Sequence, residues 1–241
     1  MGLILTLLKR PAPVKYVIAM LWIVGIIILS GCVYVNQLTM TPKVEKLQID
    51  NPIPLEVGLL ITEESKKKIF RSDNYPNYNF SRPLYYLEPY QLPIGEAFER
   101  AALEIFSQVF RKVHLLRSLD EAKGLSMVLD LRLEAFDLNM IHSYFGGSSR
   151  YYNASVEIKS QAKISGALIK EGKTIWQKTV DSPMDGQRQV YSVLLKNTVS
   201  EQASGSIVSA LKGLAQKMME ESRSTSISIT LKDCCRFGCC L

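Results

Sequence analysis

Two runs between residues 127 and 168 place apolar side chains at about every second position, the pattern of a half-buried β-sheet. Met127, Leu129, Leu131, Leu133 and Ala135 alternate with Val128, Asp130, Arg132 and Glu134. Tyr152, Ala154, Val156, Ile158, Ala162, Ile164 and Leu168 repeat the period against Asn153, Glu157, Lys159, Gln161 and Lys163. Glu171-Gly172 predicts a tight hairpin turn into Thr174 to Val180, a run that carries Ile175 and Trp176. A further strand is predicted upstream, where Leu55, Val57, Leu59 and Ile61 alternate with Glu56, Gly58, Leu60 and Thr62.

Two segments switch to a helical period. Ile94, Phe98, Ala101, Ala102, Ile105, Phe106, Val109, Phe110 and Val113 recur at steps of three and four, behind Pro93, whose missing N–H suits a helix start. Val199, Ala203, Ile207, Ala210, Leu211, Leu214 and Met218 form a second stripe. The expectation is an α+β domain over residues 54–222, a four-stranded, largely antiparallel sheet with two helices packed on one face.

The first 31 residues have a different character. Lys9, Arg10 and Lys15 precede an almost uninterrupted apolar run from Tyr16 to Leu29, too short for a comfortable bilayer span and of the length of a signal-peptide core. The formal net charge of the chain is +6, and removal of residues 1–31, which hold three of those positive charges and no acid, leaves +3. So small an excess argues against a nucleic-acid partner. The run closes on Leu29-Ser30-Gly31-Cys32, where small residues give a peptidase access and the cysteine supplies a thiol. These positions resemble the lipobox of bacterial lipoproteins. The resemblance implies cleavage before Cys32, diacylglycerol on its sulfur, usually acylation of the new amine, and so attachment to a membrane by two or three chains, where one would not hold. Val33 stands where enterobacterial lipoproteins kept in the inner membrane carry Asp, which implies the periplasmic side of the outer membrane.

Residues 32–53 read as the lipidated cysteine and a polar tether. Residues 63–91 read as a long irregular loop, with Lys66-Lys67-Lys68 near its start and Tyr75, Tyr78, Phe80, Tyr85, Tyr86 and Tyr90 among prolines. Tyr85, Tyr86 and Tyr90 are candidate partner contacts, because tyrosine offers large amphipathic area at low entropic cost. The same rings could instead pack inward over the sheet edge. The lysines could meet lipid phosphates or an acidic partner, or simply be solvated. Residues 223–241 are Ser/Thr-rich and end in Cys234, Cys235, Cys239 and Cys240, whose spacing fits no zinc knuckle, and read as a disordered tail.

The order strand, loop, helix, three strands, helix behind a lipobox resembles small lipoproteins of outer-membrane assembly and of envelope transport, such as the lipopolysaccharide-assembly lipoprotein and the auxiliary lipoproteins of lipid-trafficking transporters. Leu92-Pro93-Ile94-Gly95-Glu96-Ala97 and the turn Glu171-Gly172 before Trp176-Gln177-Lys178 carry that resemblance. It implies a non-catalytic binding or assembly subunit with a protein partner in the envelope. A structural lipoprotein of a secretion or motility complex is the alternative, and an envelope hydrolase a third.

Catalytic signals are sparse. The sequence holds two histidines, His114 and His142, and no HExxH, GxSxG, P-loop or GxGxxG pattern. His114 would follow the first helix and complement its dipole. His142 borders a predicted loop from Ser143 to Arg150 whose Gly146-Gly147 could offer N–H groups to an anion. Asp130, Arg132 and Glu134 share a strand face, as solvated residues do. No metal, cofactor or catalytic residue is expected.

Overall fold

The computed structural model describes residues 35–49, 51–72, 90–145, 153–190 and 195–223. The chain divides into two units, Met1–Val35 and Asn36–Leu241, and every element below belongs to the second.

In chain order the elements are β1 (Asn36–Gln37), β2 (Ile53–Ile61), the short α1 (Glu63–Lys66), β3 (Phe70–Ser72), β4 (Tyr90–Leu92), α2 (Ile94–Val109), β5 (Phe110–Leu116), a 3₁₀ turn (Leu119–Ala122), β6 (Met127–Phe145), β7 (Asn153–Lys170), β8 (Lys173–Asp181), β9 (Gly186–Val190) and α3 (Leu195–Arg223). The fold is mixed α+β. Its main sheet has six strands rather than four, in the order β5-β2-β6-β7-β8, with β9 pairing β7 beyond the end of β8. β2 is parallel to both β5 and β6, while β6, β7 and β8 run antiparallel. A small sheet, β1-β4-β3, stands apart from it.

The sixteen residues of α2 stop at Val109, earlier than the periodicity to Val113 suggests. Phe110 turns extended and the chain enters β5 with no intervening loop. Helical spacing alone cannot mark this end. Phe110 and Val113 continue the helical stripe, but a partner strand, Ile53–Ile61, lies beside them to be paired, and pairing with β2 wins over local pattern.

Leu55, Val57, Leu59 and Ile61 of β2, Met127, Leu129, Leu131 and Leu133 of β6, and Val156, Ile158, Ala162, Ile164 and Leu168 of β7 all point into one core with both helices. All seven residues of the expected α3 stripe are buried there. Gly166 on β7 marks the closest approach of α3: a Cβ at that position would lie 2.7 Å from Leu214 and 3.0 Å from Leu131. The turn between β7 and β8 places Glu171 and Gly172 at φ of 49° and 75°, the left-handed pair that a two-residue hairpin demands.

The alternation in β6 breaks once. Leu133 pairs Ile164 and Ala135 pairs Lys163, so Glu134 is an additional residue, a β-bulge. Ala135, expected inside, is exposed, and Phe136, Leu138 and Met140 become the inward residues. The strand also runs on to Phe145, so Ser143 to Phe145 are strand rather than loop.

The expected tether does not hang free either. Leu38 and Met40 are buried, Val44, Leu47 and Ile49 pack against the core, and β1 pairs with β4 in parallel. The apolar residues from Leu38 to Ile49 have no period because they pack against α2 and α3 rather than forming an element of their own.

Candidate functional site

The expected irregular loop contains three ordered elements, and their polar groups serve the fold. Thr62 caps α1, its Oγ1 accepting from the Ser65 amide at 3.3 Å. Ser65 Oγ in turn accepts from the amide of Leu133 at 3.1 Å. Lys68 Nζ donates to the carbonyls of Leu133 and Glu134 at 2.9 and 2.8 Å. These are the two carbonyls at the bulge of β6, where the ladder is interrupted. Lys66 pairs with Glu99 of α2 at 3.3 Å and Lys67 with Glu63 at 3.3 Å. Lys66 and Lys68 are therefore engaged in internal contacts, whereas Lys67 is exposed and pairs with Glu63 at the surface.

α2 starts against this knot. The Gly95 amide donates to the Lys68 carbonyl at 2.9 Å. A Cβ on Gly95 would overlap the carbonyl oxygens of Ser65 and Lys66. The Pro-Ile-Gly segment thus seats α2 on α1, and the glycine is required by that close approach.

Tyr90 lies in β4, 2% exposed, with its ring 6.4 Å from that of Phe70, which meets Phe136 edge-on at 5.4 Å. Burial pushes its phenol up to about 12, with Ser72 opposing. Of the three candidate contact tyrosines, Tyr90 therefore has an inward ring, and Tyr85 and Tyr86 lie outside the described residues. So do Leu29, Ser30, Gly31, Cys32, Gly146-Gly147 and the tail cysteines. His142 sits in β6 opposite Val156.

His114, expected beside a helix end, is in β5 and faces Glu56 of β2. Its Nε2 lies 3.3 Å from Glu56 Oε2, and Arg111 Nη2 lies 3.1 Å from Oε1. The bond to His114 and the charges of Lys112 and Arg111 hold the Glu56 carboxyl below its ordinary value. More than fifty residues separate the partners in sequence, and only the parallel β2–β5 pairing joins them, so no local motif announces the cluster. On the outer face of β6, Arg132 Nη2 binds Asp130 Oδ2 at 2.9 Å, and the Ser165 hydroxyl donates to Glu134. The Glu56 cluster joins β2 to β5 and the Ser165–Glu134 bond joins β7 to β6, whereas the Arg132–Asp130 pair lies within β6, where Asp130, expected to be solvated, is buried. Among the described residues no group of three His, Cys, Asp or Glu could hold a metal ion, and no helix is long and apolar enough to cross a membrane.

The segment after residue 35 is the other polar assembly. Lys196 Nζ at the start of α3 donates to Asn36 Oδ1 at 2.8 Å. Lys43 pairs with Glu201 at 3.4 Å and Glu45 with Lys212 at 3.1 Å, while the Leu47 amide donates to Gln108 of α2 at 2.8 Å. From Asn36 to Glu45 the chain therefore climbs along α3 from its N-terminal end.

No family model and no curated protein sequence matches the chain. Solved structures of similar outline include a Xanthomonas campestris protein of the DUF330 family, 9% identical over 82% of this chain and 97% of that one, with a TM-score of 0.42. Rare lipoprotein B of Shewanella oneidensis is 12% identical over 69% and 96%, at 0.33. A minor lipoprotein of Acinetobacter baumannii is 10% identical over 71% and 92%, at 0.30. Each falls below 0.5, so none assigns this chain a family, and its function is argued from its own residues.

Proposed function

We propose that this chain is a lipid-anchored envelope lipoprotein, attached through Cys32, whose α+β domain is a non-catalytic binding or assembly subunit of a transport or outer-membrane assembly complex. The observation that carries the reading is the sequence Leu29-Ser30-Gly31-Cys32 closing an apolar run behind Lys9, Arg10 and Lys15. The domain supports it in one respect. The charges of Glu56, Arg111, His114 and Arg132 are taken up in pairs along the sheet, as on a structural surface, although Asp130 Oδ1 is buried without a hydrogen-bond partner. Lipid on the cysteine would attach the protein to a membrane, and Val33 in place of Asp favours the periplasmic side of the outer membrane.

Replacing Cys32 with Ala tests the anchor. The variant should stay at its precursor size in the inner membrane, and a variant of normal mature size in the outer membrane would refute the reading. Purification of the lipidated protein with its partners retained separates a transport or assembly machine from a secretion or motility complex. Turnover of cell-wall or lipid substrates by the purified protein would favour a hydrolase instead.

A further inference from the structure

The main sheet ends on β5 at one side and on β8 at the other. A terminal strand keeps the N–H and C=O of every second residue turned outward, a ready template for one more strand. Among the described residues no strand occupies that side of β5. The two ends differ in what they display. β8 exposes no large apolar side chain, because Trp176 and Val180 are buried and Ile175 is half-buried. β5 leaves Leu115 43% exposed within the strand and Leu119 56% exposed just past it. It contains no proline, and it pairs β2 in unbroken register from Lys112 to Leu116.

The charge of this edge is one-sided. From Phe110 to Arg117 the chain carries Arg111, Lys112 and Arg117, together with His114, and no acid. Glu56 of β2 faces Arg111 and His114, while Lys112 and Arg117 are exposed. The next carboxylates along the chain, Asp120 and Glu121, belong to the 3₁₀ turn, where Glu121 accepts from the Arg117 amide. Cationic side chains on a terminal strand deter indiscriminate pairing. They deter a second copy of this chain above all. An antiparallel pair of β5 strands centred on His114 would set Arg111 opposite Arg117, and β8, with Lys173 and Lys178 against Asp181, is basic too. The same charges favour an acidic strand. Side chains of an added strand would alternate between two sides of the sheet. On the helix side Val113 and Leu115 lie in register with the buried Val57 and Leu59, and on the other stand Lys112 and His114.

We propose that β5 is the docking edge for an extended, acidic segment of a partner protein. The segment adds a strand to the sheet, covers Leu115 with an apolar side chain and sets carboxylates beside Lys112 and Arg117. This rests on the binding-subunit reading, whose partner it describes, and not on the lipid at Cys32. Short blocked peptides in which valine alternates with glutamate, or with lysine, are the probes, and amide exchange of the full-length protein is the readout. The glutamate peptide should slow exchange at alternate residues of β5 and leave β8 unchanged, and the lysine peptide should do neither. Lys112→Glu combined with Arg117→Glu should reverse the preference with the thermal transition retained, and the milder Lys112→Gln with Arg117→Gln should erase it. Protection by both peptides or by neither, protection of β8, or a preference that survives the charge reversal overturns the proposal. In cells, p-benzoylphenylalanine in place of Leu115 should crosslink to an acidic segment of another protein, and adducts to lipid or to a second copy of this chain overturn it as well. If partners copurify with the protein yet none crosslinks at residue 115, the binding-subunit reading stands and the β5 edge falls. If none copurifies and none crosslinks, both fall.

Discussion

β6 has two halves that share β7 as a partner and differ in the rest of what holds them. From Met127 to Leu133 it lies between β2 and β7, with its odd-numbered residues against the helices. From Ala135 to Phe145 its ladder runs with β7, and its even-numbered residues Phe136, Leu138 and Met140 turn inward. The change of phase is the bulge at Glu134, and the groups that satisfy it come from α1 and the turn after it: Ser65 on the Leu133 amide and Lys68 on two carbonyls. A buried alternation is therefore only as long as the hydrogen-bonded segment that sustains it. One additional residue reverses every side chain downstream.

The largest expected effect lies in the first half. Leu131 is fully buried, and Leu131→Asp places an unpaired carboxylate between sheet and helices, at a cost above about 4 kcal/mol, enough to unfold the domain. Ala135→Asp, which an unbroken alternation would rank with it, should be mild because Ala135 is exposed. Equal loss of the cooperative thermal transition in both variants would mean that the bulge is misplaced.

Gly95→Ala comes next. The added methyl meets the backbone of α1, which has no flexible end to move aside, and overpacking of this kind costs about 1–3 kcal/mol. Denaturant titration should show a lower midpoint although alanine favours the helix, and an unchanged midpoint would mean that α1 does not seat α2. Lys68→Met keeps the length of the side chain and removes both bonds to the bulge. With Lys68 partly exposed, water replaces some of what is lost, and destabilisation of about 1 kcal/mol is expected. Amide exchange should quicken at the Leu133–Ala135 bulge more than at Leu129. Uniform acceleration along β6 would argue against a local clamp.

The smallest effect belongs to the exposed cluster at the sheet edge. The Glu56 carboxyl is lowered in the folded state by its bond to His114 and by Lys112 and Arg111. Its contribution is therefore present above the ordinary carboxylate value and disappears as pH falls through the lowered one. Glu56→Gln should leave neutral stability nearly unchanged, as exposed pairs do, and should flatten the fall of the melting temperature on acidification. An identical acid profile in the variant would show that the pair makes no contribution to folding.

How far the sequence could be read follows the range of the forces involved. β2, β7, the Glu171-Gly172 turn and the α3 stripe were legible because each is set by its own residues, through side-chain period and through the positive φ that a tight turn requires. β5 was not, since Phe110 and Val113 fit a helix as well as a strand. The pairing of Glu56 with Arg111 and His114 was equally hidden, as was the knot of Ser65, Lys68 and Gly95, whose members have no meaning until α1, α2 and β6 meet.

By itself, then, the sequence determined the apolar faces and the solvated ones, two helices and the long antiparallel strands, because burial against water acts on every residue where it stands. The order of the six strands, the phase change in β6, the inward ring of Tyr90 and the seating of residues 36–49 along α3 were decided by tertiary structure alone. Each depends on a hydrogen bond or contact between segments distant in the chain, and such a contact exists only after the fold has brought both partners to one place.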